Sequence, residues 1–437
     1  MQHMIDIEFE RCFSNDHVMH VINKNFIALD DVEVKRNNSN LTEVIRTLME
    51  QMKLKDDLFA NAYREIIFCG SFYKETRVGK PNEFDLNIIL QLPINYGNIN
   101  FHSNKPACTK IKIEDYLNPI STSPKYNLSN KQKKILKKLM VDDYLDPDKF
   151  RQWIEGVLSK VITDLPKVQD KYQLVTQTNF NTFMVKIKKS GPAFTLTVTI
   201  SPTNEDISID LVPALAFKKY EIHGSTLKLH EVKNYRNKTW YAIPLPLKDI
   251  DTDDSKGLHW RVSFCHQERE ILARHGRVKP VIRLLKKFRD TQNWKNIASY
   301  FIETLFLNKL TELKEILNKI SLTLFFFVML KEMQHAFQQH RVEYFWDENY
   351  NLLEKIRKDE MTNITHRLNN IIKNIEKNAI SNSLVFAAHI LNKEELQLLQ
   401  LRLKNKNIQH YESIQYTGDV QDSDNRQSTN NGRCIIL

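Results

Sequence analysis

The sequence predicts an α+β chain in two lobes, a mixed α/β lobe followed by an all-helical one. Three observations carry this. A chain of 437 residues, 41% of them hydrophobic, can bury a core large enough to divide into two closely packed lobes. Apolar residues alternate with period two in several short runs between Ile66 and Leu211, the mark of half-buried strands. After about residue 255 the apolar residues recur at helical spacing instead.

Residues 1–38 form a mixed N-terminal segment ending in a polar, Asn-rich stretch. A spine helix is expected to start near Asn40, whose side chain can cap it, with Glu43 three residues on as in a capping box. Its apolar face runs Leu41, Val44, Ile45, Leu48 and Met52, and it opens an α/β lobe over 39–255. Ile66 to Cys69 reads as a short strand ending in Gly70-Ser71. Phe84 to Leu92, Phe194 to Ile200 and Ile207 to Leu211 read as further strands. Phe150, Trp153, Val157, Val161 and Leu165 place an amphipathic helix between them. The helical lobe covers 256–410. Pro280 marks a helix start, followed by Val281, Leu284, Leu285 and Phe288. The run Ile320 to Leu330 falls short of the roughly 20 residues that span a bilayer, and reads as a core helix. From Tyr411 the composition turns polar and predicts a disordered tail over 411–437.

Charge and cysteine usage narrow the function classes. Lys plus Arg number 63 against 53 Asp plus Glu, a net charge of +10, which suits polyanionic partners such as nucleic acid or nucleotide phosphates. The five cysteines are scattered without a CxxC, against a disulfide framework and a structural zinc site. No apolar signal segment follows Met1, so a reducing, cytoplasmic or nuclear setting is expected.

The residues that carry chemistry are acidic. Gly is scarce, ten in the chain, so Gly70-Ser71 directly after a strand stands out as a turn that lets a phosphate approach backbone N–H groups and the Ser71 hydroxyl. Twelve residues on, Glu83 and Asp85 flank Phe84 and share one strand face. Paired carboxylates repel unless a cation lies between them, and a divalent ion would satisfy both while bridging nucleotide phosphates. Asp210, on the opposite face from Ile207, Ile209 and Leu211, can complete a two-metal site and orient or deprotonate an attacking hydroxyl. A lone Glu-x-Asp in a strand is usually a solvated sheet face. The preceding Gly-Ser turn and the third strand acid strengthen the catalytic reading.

Gly70-Ser71, Glu83-Phe84-Asp85 and Asp210 together resemble the Mab-21-type nucleotidyltransferases, and within them the cyclic GMP-AMP synthase-like receptors of animals. Ser190 to Leu196 is similar to the family's strand before the third acid. Trp260-Arg261-Val262-Ser263-Phe264-Cys265 resembles its WRxSFSxxE segment, with Glu268 as the final acid, and Ser299-Tyr300 falls where a base-stacking pair is found. The resemblance implies a polymerase-beta-like lobe and a site that binds two Mg²⁺ or Mn²⁺ ions through Glu83, Asp85 and Asp210. It implies that Ser71 holds the donor triphosphate, and that Arg261, Ser263 and Glu268 contact the acceptor nucleotide. Lys286 would reach the donor phosphates, and Tyr300 would stack on a base.

Two departures matter. The His-Cys zinc module of the vertebrate synthase is missing from the interval Arg274 to Lys279, so no zinc is expected, as in insect receptors that sense double-stranded RNA. One serine of the motif is replaced by Cys265.

Basic clusters at Lys131, Lys133, Lys134, Lys137 and Lys138, and at Arg274, Arg277, Lys279, Arg283 and Lys287, are candidate polyanion surfaces. The second lies where the family's ligand groove would be, and Lys279 and Arg283 are its leading candidates for duplex phosphates. The chain ends Cys434-Ile435-Ile436-Leu437, a CaaX box whose terminal Leu favours geranylgeranylation of Cys434 and contact with cytoplasmic membrane surfaces. The resulting expectation is an RNA-activated enzyme that makes a cyclic dinucleotide from ATP and GTP for a STING-like receptor. The rival readings are a linear-oligonucleotide or RNA-terminal transferase and a non-catalytic Mab-21-type binding protein.

Overall fold

The computed structural model describes residues 13, 15–115, 128–177, 179–201, 203–245, 257–313 and 319–418. The spine helix α1 (Asp31–Lys55) starts nine residues before Asn40, contrary to expectation. Asp30 caps it, its carboxylate accepting from the Glu33 N–H at 2.8 Å, and Asp31 and Glu33 place negative charge in the first turn. The Asn-rich stretch is therefore helical, and part of it faces inward: the Asn37 amide donates to the Pro81 carbonyl at 2.9 Å.

Thirteen strands among the described residues form one sheet. Its centre is β1 (Tyr63–Cys69), β2 (Glu83–Leu90) and β4 (Glu205–Phe217), with β3 (Ala193–Ile200) beside β4. β1 is antiparallel to β2, and β2 is parallel to β4. β4 is long enough to pair β3 through its first half and β5 (Trp240–Pro244) through its end. β5 in turn pairs β6 (Trp260–Ser263). Phe84, Leu86 and Ile88 of β2 and Ile207, Ile209 and Leu211 of β4 are buried, as their alternation predicts. The amphipathic helix α2 (Pro147–Thr163) packs on α1 beneath this sheet.

The helical lobe follows as α3 (Cys265–Arg274), α4 (Val278–Thr291), α5 (Ser299–Leu313), α6 (Leu322–Gln338) and α7 (Lys358–Asn378). The run expected as a core helix is α6, and its Phe325, Phe326 and Phe327 are buried. The described part of the N-terminal segment docks on this lobe. The Asp16 carboxylate accepts the Leu322 and Thr323 N–H groups at 2.8 Å each, and Phe13 stacks on Phe327 with ring centroids 5.1 Å apart. Buried Asp347 ties the lobes together by accepting from the Ala107 N–H at 2.8 Å and the Thr226 hydroxyl at 2.6 Å. The last helix, Lys393–Gly418, continues past Tyr411, where a disordered tail was expected to begin. The CaaX box lies outside the described residues. No helix among the described residues is long and apolar enough to cross a membrane.

Candidate active site

The parallel pairing of β2 with β4 sets Asp85 opposite Asp210, and the antiparallel pairing with β1 sets Asp85 opposite Cys69. Asp85 therefore stands between the third acid and the strand that leads into Gly70. Gly70 has φ +71°, and a Cβ there would lie 1.8 Å from Asp85 Oδ2. Only glycine permits this approach of the loop to the acid. The Asp210 carboxylate accepts from the Thr195 hydroxyl of β3 at 2.6 Å, which fixes its orientation. Burial pushes the Asp85 carboxyl above its usual range, and the charges of Asp210 and Glu83 push the same way against Arg77.

Glu83 is two residues from Asp85 on the same face, and Arg77 holds it at 3.0 Å. Among the described residues no three His, Cys, Asp or Glu side chains are gathered into a ready metal cluster. The donors nevertheless fit a hard divalent cation in kind, being carboxylate oxygens on adjacent strands. The like-charge crowding at Asp85 is what such a cation would relieve.

Two openings flank these acids. A cleft of 930 Å³ between the lobes is lined by Gly70, Asp85, Arg261, Ser263, Glu268 and Tyr300, among others. A second opening of 410 Å³ is lined by Ser71, Glu83, Lys286 and Ser299, with Arg77 and Arg289. Arg261, Ser263 and Glu268, expected at the acceptor, fall in the first, and Ser71 and Lys286, expected at the donor phosphates, fall in the second. Gly70 of the phosphate turn lines the first, and the Ser299-Tyr300 pair is split, Ser299 in the second and Tyr300 in the first. Asp210 lines neither. Arg261 is exposed in the cleft, while Ser263 and Tyr300 are half-buried.

The charged ends of Glu268 and Lys286 are engaged with protein partners. Glu268 is buried, receiving Lys74 Nζ at 2.9 Å, the Tyr300 hydroxyl at 2.7 Å and the Trp346 indole N–H at 3.3 Å. Lys74 also donates to Glu303 at 2.9 Å. Glu303 takes Lys286 Nζ at 2.5 Å and the Thr76 hydroxyl at 2.7 Å as well. The two ammonium groups hold the Glu303 carboxyl down at about 2 against its burial. Lys286 shares that one carboxylate, so burial wins and lowers its pKa. Lys74, Thr76 and Glu303 went unnoticed in the sequence. The available signal was a lone acid inside the apolar run Phe301 to Leu307, where an uncompensated charge does not survive burial.

Lys279 and Arg283 lie on α4 beside the same loop. Lys279 pairs with Glu75 at 2.6 Å, and Arg283 donates to the Glu75 carbonyl at 3.4 Å. Lys131, Lys133, Lys134, Lys137 and Lys138 are exposed on the helix Asn130–Lys138, capped by Ser129.

The family model described as the Mab-21 protein nucleotidyltransferase domain matches residues 72–274, and that of the Mab-21 protein HhH/H2TH-like domain matches 277–370. The chain is 36% identical to a cyclic GMP-AMP synthase-like receptor of Microplitis demolitor, over 86% of this chain and 68% of that one. It is 31% identical to one of Trichogramma pretiosum, over 97% and 87%, and 32% identical to one of Tribolium castaneum, over 87% and 92%.

Proposed function

The chain belongs to the Mab-21-type nucleotidyltransferases, alongside the cyclic GMP-AMP synthase-like receptors, and on that premise we propose that it joins ATP and GTP into cyclic GMP-AMP when double-stranded RNA binds it. The observation that carries the reading is the in-register Asp85–Asp210 pair, approached by Gly70, with Asp85 opening on the interlobe cleft.

Each residue has a task in this chemistry. The Ser71 hydroxyl binds the donor triphosphate from the smaller opening, and the backbone of the Gly70 turn meets it from the cleft side. Arg261 and Ser263 seat the acceptor, and Tyr300, braced by Glu268, offers its ring to a base. Asp210, oriented by Thr195, takes the proton of the attacking hydroxyl. Mg²⁺ or Mn²⁺, held by Asp85, Asp210 and a Glu83 released from Arg77, would supply charge stabilisation at the α-phosphate. Pyrophosphate leaves, and a second round closes the ring. The product would act on a STING-like receptor in innate immune defence.

The test is incubation of the purified chain with labelled ATP and GTP, Mg²⁺ or Mn²⁺, and a panel of RNA and DNA duplexes, with products read by mass. A cyclic dinucleotide formed only with duplex RNA supports the reading. Linear oligomers, tailed RNA, or no product under any condition would overturn it.

We also place the protein at cytoplasmic membrane surfaces through a prenylated Cys434, on the strength of the CaaX sequence and the net charge of +10. Intact mass of protein from animal cells tests this: an unmodified C-terminus retaining Ile435 to Leu437 ends it.

A further inference from the structure

One basic cluster has no part in the chemistry above. The helix Asn130–Lys138 carries Lys131, Lys133, Lys134, Lys137 and Lys138, all exposed, and no acid falls between Asn130 and Val141. At about 100° per residue, Lys133, Lys134, Lys137 and Lys138 fan across the face opposite buried Leu136 and Leu139. Lys131 stands at the edge of that face and reaches Asp57 at 3.6 Å. Among the described residues the other four make no ion pair. The helix is anchored at its start. The Gln132 side chain accepts from the Ser129 N–H at 2.9 Å and donates to the Asp57 carbonyl at 3.1 Å. Beside it, at the end of the spine helix and three residues before Asp57, Leu54 is 76% exposed.

We propose that this lysine face, with Leu54 at its border, lies on anionic bilayers of the phosphatidylserine type, the lysines meeting headgroup charge while Leu54 enters the interface.

The chemistry favours a bilayer over a second RNA duplex. All five cations are lysines, point charges suited to a diffuse sheet of headgroups, and the forked guanidinium that grips one phosphate twice is absent from the helix. A duplex is also held through its 2′-hydroxyls. Between Lys131 and Lys138 the one uncharged polar side chain is Gln132, already engaged by Ser129 and Asp57. An exposed leucine gains nothing from a phosphate backbone, whereas interfacial binding draws on apolar insertion and charge together.

The position leaves the proposed RNA surface open. Lys279 and Arg283 meet the loop at Glu75, and the spine holds that loop through Asn37 and Asn38 near its start. The lysine helix touches Asp57, just past the spine's end. The spine separates the two surfaces by about 30 Å along its axis. One prenyl chain anchors only marginally, and stable attachment takes a second signal. The lysine face supplies one, which deepens the membrane reading of Cys434. The contact itself needs no lipid on the protein, so an unprenylated chain keeps the two failures apart.

The unprenylated full chain, purified from bacteria, is floated with vesicles of phosphatidylcholine alone or mixed with phosphatidylserine. It should bind the mixed vesicles only, and less as salt rises. Each lysine near an anionic surface strengthens binding about fivefold. Lys133→Gln, Lys134→Gln, Lys137→Gln and Lys138→Gln together should therefore weaken binding by about tenfold or more. The same four positions changed to arginine should keep it, and Leu54→Ser should weaken it by a smaller factor. Lys279→Glu with Arg283→Glu should bind vesicles as wild type does. The glutamine variant should keep the wild-type urea midpoint and its affinity for duplex RNA. Loss of duplex binding in that variant would make the face an RNA surface and overturn the proposal. Vesicle binding that the four substitutions leave unchanged, or no binding by wild type, would overturn it equally. Unchanged binding in Leu54→Ser removes Leu54 from the contact.

Discussion

Glu303→Gln tests whether one buried carboxylate holds the catalytic loop against the helical lobe. Glu303 is 3% exposed and accepts from Lys74, Lys286 and Thr76. Glutamine keeps the shape and removes the charge, leaving Lys286 with the Thr76 oxygens at 3.1 Å and Lys74 with Glu268 alone. A carboxyl whose pKa falls from 4.5 to about 2 on folding contributes about 3 kcal/mol when ionised. That agrees with the roughly 3–5 kcal/mol lost when one partner of a buried ion pair is removed. Because the folded pKa is depressed, the contribution is complete above the unfolded value and fades as pH falls toward the folded one. The gap between wild type and variant in urea unfolding should therefore be about 3 kcal/mol at pH 7 and shrink by more than half near pH 3. Lys286, already lowered by burial, can shed its proton in the variant, which limits the loss from above. Equal unfolding midpoints at pH 7 would refute the reasoning, because the network would then contribute nothing through its charge.

Three further outcomes follow from the site. Asp85→Asn should abolish nucleotide transfer while leaving the protein at least as stable. Burial and Asp210 raise this carboxyl's pKa, so its ionised form costs stability once pH passes the folded value, and a stable, active Asn variant would remove Asp85 from the chemistry. Gly70→Ala should lower transfer at least tenfold, since the new methyl meets Asp85 at a positive φ; unchanged turnover would show that the loop approach is not used. Charge reversal at Lys279 and Arg283 together should weaken duplex RNA binding and reduce its dependence on log salt by about 1–2, and an unaltered salt slope would place the RNA elsewhere.

Much of the site was legible because strands expose their logic at period two. Glu83 and Asp85 share a face, and Asp210 opposes the buried Ile207, Ile209 and Leu211, so their directions followed from alternation alone. Which strands are neighbours is a tertiary fact, and only the fold shows that Asp85 lies opposite Asp210. The spine helix was placed late because Asn37 to Asn40 reads as loop by propensity. Asp30 caps the helix earlier, and tertiary contacts to Pro81 and Tyr73 hold the asparagines in it. Glu303 was missed because helical periodicity has no term for a charge buried by partners 17 and more than 200 residues away.

These contacts rank by strength in a way that bears on the proposed activation. The loop between Gly70 and Asn82 is held by the spine through Asn37 and Asn38, by β2 through Arg77 and Glu83, and by the helical lobe at two depths. The inner hold, Lys74 and Thr76 on Glu303, is desolvated and worth several kcal/mol by the reasoning above. The outer hold, Lys279 on Glu75, joins a side chain 15% exposed to one 71% exposed and is worth about 0–1 kcal/mol. A phosphate arriving at Lys279 can displace Glu75 at almost no cost, whereas direct attack on the inner hold would not be repaid by one contact. Under the proposed activation, a duplex therefore first takes the outer contact, releasing Glu75, a residue whose φ of 60° is itself unfavourable for a non-glycine. The inner network then keeps the loop registered on the helical lobe while its Gly70 end adjusts to the substrate.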